Sequence, residues 1–210
     1  MSAPDTRALA RAERSDLAEL LATLTPEQWE SPSLCEGWRV RDVIAHMFSF
    51  EDMSIPAVLV RLARAGFDTD RANAAMVASY ADHTPEQLTA RVREHLDPAG
   101  ITAQFGGRIA LTDALIHHQD ILRPLGVRRT IPDDRMLAAL DFAKGARPLG
   151  APKRILGLTL RATDLDWSTG TGPVVEGPAE PLLLALAGRD VALDELTGPG
   201  RPILADRLRG

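Results

Sequence analysis

The sequence predicts a mainly α protein, a helical bundle followed by a small α+β unit. Three observations carry that expectation. Apolar residues recur at helical spacing in six segments between Thr6 and Lys144, and from about Gly150 the pattern changes to alternation of apolar and polar residues. A chain of 210 residues with 45% hydrophobic and 25% charged residues also has the composition of a globular protein long enough to bury a core. The expected division is a bundle over residues 1–150 and an α+β region over 151–210. The second region is expected to pack on the first, because about 60 residues bury too little surface to stand alone.

The first segment, Thr6 to Leu24, repeats Leu9, Leu17, Leu20, Leu21 and Leu24 at helical spacing among Ala, Arg and Glu, all good helix formers. "TPEQWESPSLCEGW", Thr25 to Trp38, has two prolines, a glycine and no lasting period, and reads as a structured connection in which Pro26 opens a short helical turn. "RVRDVIAHMFSFEDM" resumes the helical period and is expected to run on, kinked at Pro56, to about Arg64. "TDRANAAMVASYAD" and "TPEQLTARVREHL" add two helices, the second opened by a Thr-Pro-Glu start signal. "ALTDALIHHQDILRPLG" is the fifth long segment and ends in glycine at Gly126; a sixth covers Asp133 to Lys144.

Beyond Gly150, "RILGLTLRATDLDWS" alternates at Leu156, Leu158, Leu160 and Ala162, and "GTGPVVEGP" supplies a turn and a short β-branched run, which together predict two or three strands. "PAEPLLLALAGRD" reads as a short buried helix closed by Gly188, followed by a last helical turn over Val191 to Leu196.

Charge and composition exclude several functions. A formal charge of -5 provides no basic stripe for a nucleic-acid backbone. No run of about 18 uncharged apolar residues is present, and no apolar stretch follows a basic start, so neither a membrane span nor an export leader is expected. The single cysteine, Cys35, rules out an internal disulfide and any Cys-pair metal motif, and fits a reducing cytoplasm. A monomer or a homodimer is expected.

Two short motifs stand out. "DVIAH", Asp42 to His46, and "DALIH", Asp113 to His117, each place a carboxylate four residues before a histidine, so that the two share a helix face. Such a pair can ligate a divalent cation jointly, or the carboxylate can orient the imidazole through its other nitrogen. Two such pairs on facing helices of a bundle can meet in its interior. His46 falls beside Val43 and Phe50 at the edge of the apolar face of its helix.

The doublet His117–His118 is harder to divide. Leu111, Leu115, Leu122 and Leu125 form an apolar stripe with His118 near its centre, while Asp113, His117 and Asp120 cluster on another face. His118 is the more core-facing residue and has no acid at i-4 or i+4; His117 has Asp113, and the spacing favours it. Asp42 reads as a partner of a ligand or, preferably, as a helix-start acid. Asp120 and Arg123, three apart, read as a helix-surface pair or as cavity residues. His83 and His95 lie in polar stretches and are expected in solvent. Arg161 and Arg201 suit a substrate carboxylate, with no spacing to select between them. Cys35, among Pro32, Trp38 and Val40, reads as a small packing residue.

"W-x-x-P-S-L-C-x-G-W-x-V-x-D-V-x-A-H", Trp29 to His46, together with "DALIHHQDILRPLG", Asp113 to Gly126, resembles the mycothiol-dependent maleylpyruvate isomerase family of the wider DinB-like metal-binding superfamily. "GPAEPLLLALAGRDVALDELTGPG", Gly177 to Gly200, is similar to the C-terminal region of the same family. The resemblance implies a DinB-like four-helix bundle that holds a divalent metal, Zn²⁺ first and Ni²⁺ as the alternative, through His46, Asp113 and His117. The commoner acid in the family is glutamate; Asp113 is one methylene shorter, which draws the metal towards its own helix or weakens that bond. His118 then packs or lines the cavity, as do Asp42, Asp120 and Arg123 around the ligands.

The implied partners are mycothiol, as thiol cosubstrate, and a small electrophilic substrate. The implied activity is isomerisation or S-transfer, in which a thiolate adds to an unsaturated acid, rotation follows, and the thiolate leaves. Two other readings use the same site: hydrolysis of a thiol conjugate by activated water, and non-catalytic binding of a metal or ligand.

Overall fold

The computed structural model describes residues 4–51 and 53–209. The chain falls into two compact units, Met1–Thr130 and Ile131–Gly210, and the described residues are mainly helical with one small sheet.

The first unit contains α1 (Thr6–Leu21), α2 (Pro26–Trp29), α3 (Val40–Phe48), α4 (Ile55–Arg64), α5 (Thr69–Ala78), α6 (Pro85–Glu94) and α7 (Arg108–Leu122). α1 packs on α6 and α7, and α3 packs on the same two helices, which closes a four-helix bundle. Its core joins Leu17 and Leu21 of α1, Val43 and Phe48 of α3, Val92 of α6 and Ile121 of α7. Full burial of each large aliphatic side chain contributes about 1.5–3 kcal/mol.

Local chemistry sets the ends of these helices. The Asp5 carboxylate accepts the Arg7 and Ala8 N–H groups at the start of α1. Thr25 and Thr84 form reciprocal caps with Gln28 and Gln87, each with proline in the first turn. The helix expected to continue past Pro56 is instead two helices. α3 stops at Phe48, and α4 starts afresh with Ser54 as its cap and Pro56 in its first turn, where a missing N–H costs nothing. In the interval between them, Glu51 is drawn into the interior by Arg14.

α7 is covered on most of its circumference: twelve of its residues are buried, including His117, His118, Gln119 and Asp120. A helix covered nearly all round belongs in the middle of a bundle, and its buried polar groups then need partners there. Pro124 cannot donate an N–H, so the regular ladder stops at Leu122. The turn then closes through Gly126 N–H to Arg123 O and Val127 N–H to Leu122 O, both at 3.0 Å, with Gly126 left-handed at φ +70°. That is the Schellman ending expected of a helix followed by glycine.

The second unit contains α8 (Asp133–Ala143), α9 (Ala151–Arg154), β1 (Thr159–Ala162), β2 (Ser168–Gly170), β3 (Val174–Gly177), α10 (Ala179–Leu186) and α11 (Arg201–Arg209). The sheet order is β2-β1-β3: β1 pairs antiparallel with β2, Leu160 opposite Thr169, and parallel with β3, Leu160 opposite Val175. α8 packs on α10, so this unit begins earlier in the chain than the change of sequence pattern near Gly150. Leu158, Leu160 and Ala162 face inward as the alternation predicts, but Leu156, counted with them, is exposed because it precedes the strand. The turn expected at Val191–Leu196 is a 3-10 helix, Asp190–Glu195, and α11 was not foreseen.

Candidate metal centre

Helical spacing does what it should on α7. Asp113, His117 and Asp120 stand one turn apart on one side of the helix, and His117 lies between the two carboxylates. Its Nε2 is 3.5 Å from Asp113 Oδ1, and its Nδ1 is 2.9 Å from Asp120 Oδ2. The two edges of one imidazole therefore face different acids.

α3, packed beside α7, brings His46 to the Asp113 side of this array. The His46 and His117 rings have centroids 5.2 Å apart and stand nearly perpendicular, at 80°. Trp38 lies at 4.9 Å and Phe50 at 5.4 Å from the His46 ring and flank it with aromatic surface. Ligand atoms of His46, Asp113 and His117 all lie within 4.8 Å of one another. His117 is buried, whereas His46 and Asp113 are half-buried and so retain access to solvent.

Burial works against charge on His117, but the Asp113 carboxylate and the hydrogen bonds to Asp120 and Cys35 hold its pKa well above the ordinary histidine value. Burial pushes the Asp113 carboxyl above its usual range, opposed by His117 and Arg14 and supported by Glu51 and Asp120. Two imidazole nitrogens and one carboxylate oxygen are donors that a divalent ion of the zinc type accepts, and three protein donors leave a position open. The residues present fit such an ion.

The remaining expected residues separate clearly. His118 points to α1, where its Nδ1 lies 2.9 Å from Glu13 Oε1; Glu13 also pairs with Arg129. It is a hydrogen-bonded core histidine, and its pKa is lowered by burial, against the pull of Glu13. Asp42 accepts the Arg39 backbone N–H at 3.0 Å and the Arg39 Nε at 2.9 Å, the role of a helix-start acid. Arg123 stands half-buried just past the end of α7. Asp120, read from the sequence as a helix-surface partner of Arg123 or as a cavity residue beside the ligands, is fully buried and hydrogen-bonded to His117, because the helix face it occupies is covered. His83 and His95 are half-buried instead of solvated: His83 packs its ring on Tyr80 at 4.8 Å, and His95 Nδ1 lies 3.0 Å from Arg91 O. Arg161 pairs with Glu176 across the sheet, and Arg201 Nε donates to Leu193 O at 2.9 Å.

Cys35 packs against the core of the first unit, as a small packing residue should, and also makes polar contacts that the sequence did not signal. Its thiol lies 3.2 Å from Asp120 Oδ2 and 3.8 Å from His117 Nδ1, so Cys35, His117 and Asp120 form a second close group. The i,i+3 spacing of His117 and Asp120 was a visible signal for part of it. Nothing in the sequence signalled a contact spanning the 85 positions from Cys35 to Asp120.

The family profile of the mycothiol maleylpyruvate isomerase N-terminal domain matches residues 10–122. Two uncharacterized proteins of Mycobacterium tuberculosis, from strains CDC 1551 / Oshkosh and ATCC 25618 / H37Rv, are each 27% identical to the chain over 207 residues. The match covers 95% of this chain and 71% of theirs. The crystal structure of mycothiol-dependent maleylpyruvate isomerase superposes with a TM-score of 0.59 at 16% identity, and that of a histidine-to-alanine variant with 0.61 at 18%. Both superpositions cover 95% of this chain and 93% of the other, and show a shared fold.

Proposed function

Because the chain belongs to the mycothiol maleylpyruvate isomerase N-terminal domain family, we propose that it is a metal- and mycothiol-dependent isomerase or S-transferase acting on a small electrophile. The observation that carries this reading is the convergence of His46, Asp113 and His117 from two packed helices, with ligand atoms within 4.8 Å of one another.

His46 and His117 would hold a divalent ion through imidazole nitrogens and Asp113 through a carboxylate oxygen, Zn²⁺ in the first instance and Ni²⁺ as the alternative. When bound, such an ion supplies Lewis-acid chemistry that lowers the pKa of a thiol or water beside it. Asp113 would offset positive charge beside His117, and Trp38 and Phe50 pack their rings against His46 and help to orient it. The thiol nucleophile comes from the cosubstrate. The protein's own thiol, on Cys35, is engaged with Asp120 on the far edge of His117.

The test is metal analysis of purified protein after Zn²⁺ or Ni²⁺ reconstitution, followed by turnover of maleylpyruvate and a panel of small electrophiles with and without mycothiol. One ion per chain and turnover that requires both ion and thiol is the expected result. Protein that retains no metal sinks the reading, and metal binding without thiol-dependent turnover points to the non-catalytic alternative.

A further inference from the structure

The edge of His117 that faces away from His46 and Asp113 carries its own structure. Asp120 has no solvent exposure, and a buried carboxylate is costly unless donors meet it. Here one oxygen, Oδ2, is met twice: by His117 Nδ1 at 2.9 Å and by the Cys35 thiol at 3.2 Å. The Asp120 backbone carbonyl also accepts the Leu34 N–H at 3.0 Å, so the segment carrying Cys35 is fastened to α7 at the same residue. Both side-chain distances are hydrogen-bond lengths between a donor and a carboxylate.

Resting on the reading of His117 as a metal ligand, we propose that Asp120 and Cys35 are positioning residues for the metal centre. Asp120 accepts the Nδ1 proton, which fixes the ring and directs Nε2 towards His46 and Asp113. Cys35 donates its thiol proton to the same carboxylate and keeps it turned to the imidazole. A carboxylate behind a ligating histidine raises its basicity and removes its rotational freedom, and loss of such a partner typically lowers metal affinity about 10–100-fold.

The experiment is Zn²⁺ affinity by chelator competition for wild type, Asp120→Asn, Cys35→Ser and Cys35→Ala, joined to two spectroscopic measurements on wild type. Asp120→Asn is expected to weaken binding about 10–100-fold with stoichiometry unchanged. Cys35→Ser, which keeps a donor, is expected to stay close to wild type, and Cys35→Ala to fall between the two. In the Zn²⁺-loaded wild type, nitrogen-correlated proton NMR should show a slowly exchanging proton on His117 Nδ1. The Co²⁺-loaded protein should lack the intense near-ultraviolet sulfur-to-metal band of a thiolate ligand.

A wild type that binds Zn²⁺ while Asp120→Asn binds it equally well overturns the positioning role and leaves the metal reading standing. A proton on Nε2 instead of Nδ1, or a sulfur-to-cobalt band, does the same by putting the ion on the Asp120 edge; neither measurement depends on a variant that folds. A wild type that binds no metal overturns both readings together.

Discussion

His118 Nδ1 lies 2.9 Å from Glu13 Oε1, a contact that ties the second histidine of the doublet to α1 and away from the candidate metal centre. Adjacent residues on a helix point about 100° apart, so one imidazole can serve the core of the bundle while its neighbour serves a site. His117→Ala should therefore abolish retention of metal, whereas His118→Ala should keep it and lose about 1–3 kcal/mol of stability by leaving the Glu13 carboxylate short of a donor. Elemental analysis and urea denaturation of the two variants check this, and metal lost only from His118→Ala would reverse the assignment.

Glu13 gives the bundle a dependence on pH. Burial works to raise its pKa, but the His118 hydrogen bond and the Arg129 guanidinium outweigh burial and hold it below the ordinary value of 4.5. The folded chain binds this proton less readily than the unfolded one, so the carboxylate's contribution is complete above about pH 4.5 and is lost as the pH falls through the folded value. His118 from α7, Arg129 beyond it and Asp16 on α1 are the titratable and charged groups of this network. Unfolding free energies of wild type and Glu13→Gln should differ most near neutrality and converge below pH 4.5; a gap that stays constant with pH contradicts this.

Arg14 and Glu51 form a buried ion pair at 2.6 Å, with Glu51 also accepting from Thr102 Oγ1 at 2.7 Å and Ala99 N at 2.9 Å. Glu51→Ala leaves a buried guanidinium without its carboxylate and should cost about 3–5 kcal/mol. The double variant Arg14→Met with Glu51→Leu should cost markedly less than Glu51→Ala, because no charge is then stranded. Chemical denaturation of the three proteins gives the comparison, and equal losses would contradict the argument.

Two left-handed glycines should respond differently to alanine. At Gly126, φ +70° with open space around it, the cost is the left-handed backbone alone, about 1–2 kcal/mol. At Gly172, φ +136°, an added Cβ would lie 2.1 Å from Gly157 O, a backbone atom that cannot turn aside. Gly172→Ala should lose clearly more stability than Gly126→Ala in thermal unfolding, and the reverse order would count against this account of the turn.

Much of the architecture follows from local chemistry that a linear reading can reach. Thr-Pro-Glu-Gln starts helices at Pro26 and Pro85 through caps formed within four residues, and Gly126 closes α7 by a turn of its own backbone. The alternation over Leu158 to Ala162 is a strand because each step flips the side chain to the opposite face. Where tertiary packing competes, local reading fails. α3 and α4 read as one helix, yet Glu51 between them leaves the helical path to meet Arg14 in the interior, and Ser54 then caps a new start.

By itself the sequence determined that Asp113, His117 and Asp120 share one side of a helix, since a period of 3.6 residues leaves no other arrangement. It also determined that His46 falls at the edge of an apolar face. Only the tertiary structure decided which neighbours those faces meet. The packing of α3 on α7 sets the His46 and His117 rings 5.2 Å apart, and the fastening of Leu34 to Asp120 brings the Cys35 thiol to the Nδ1 edge of the same imidazole. Contacts between residues 71 and 85 positions apart depend on how whole helices and connections pack, which no spacing along the chain encodes.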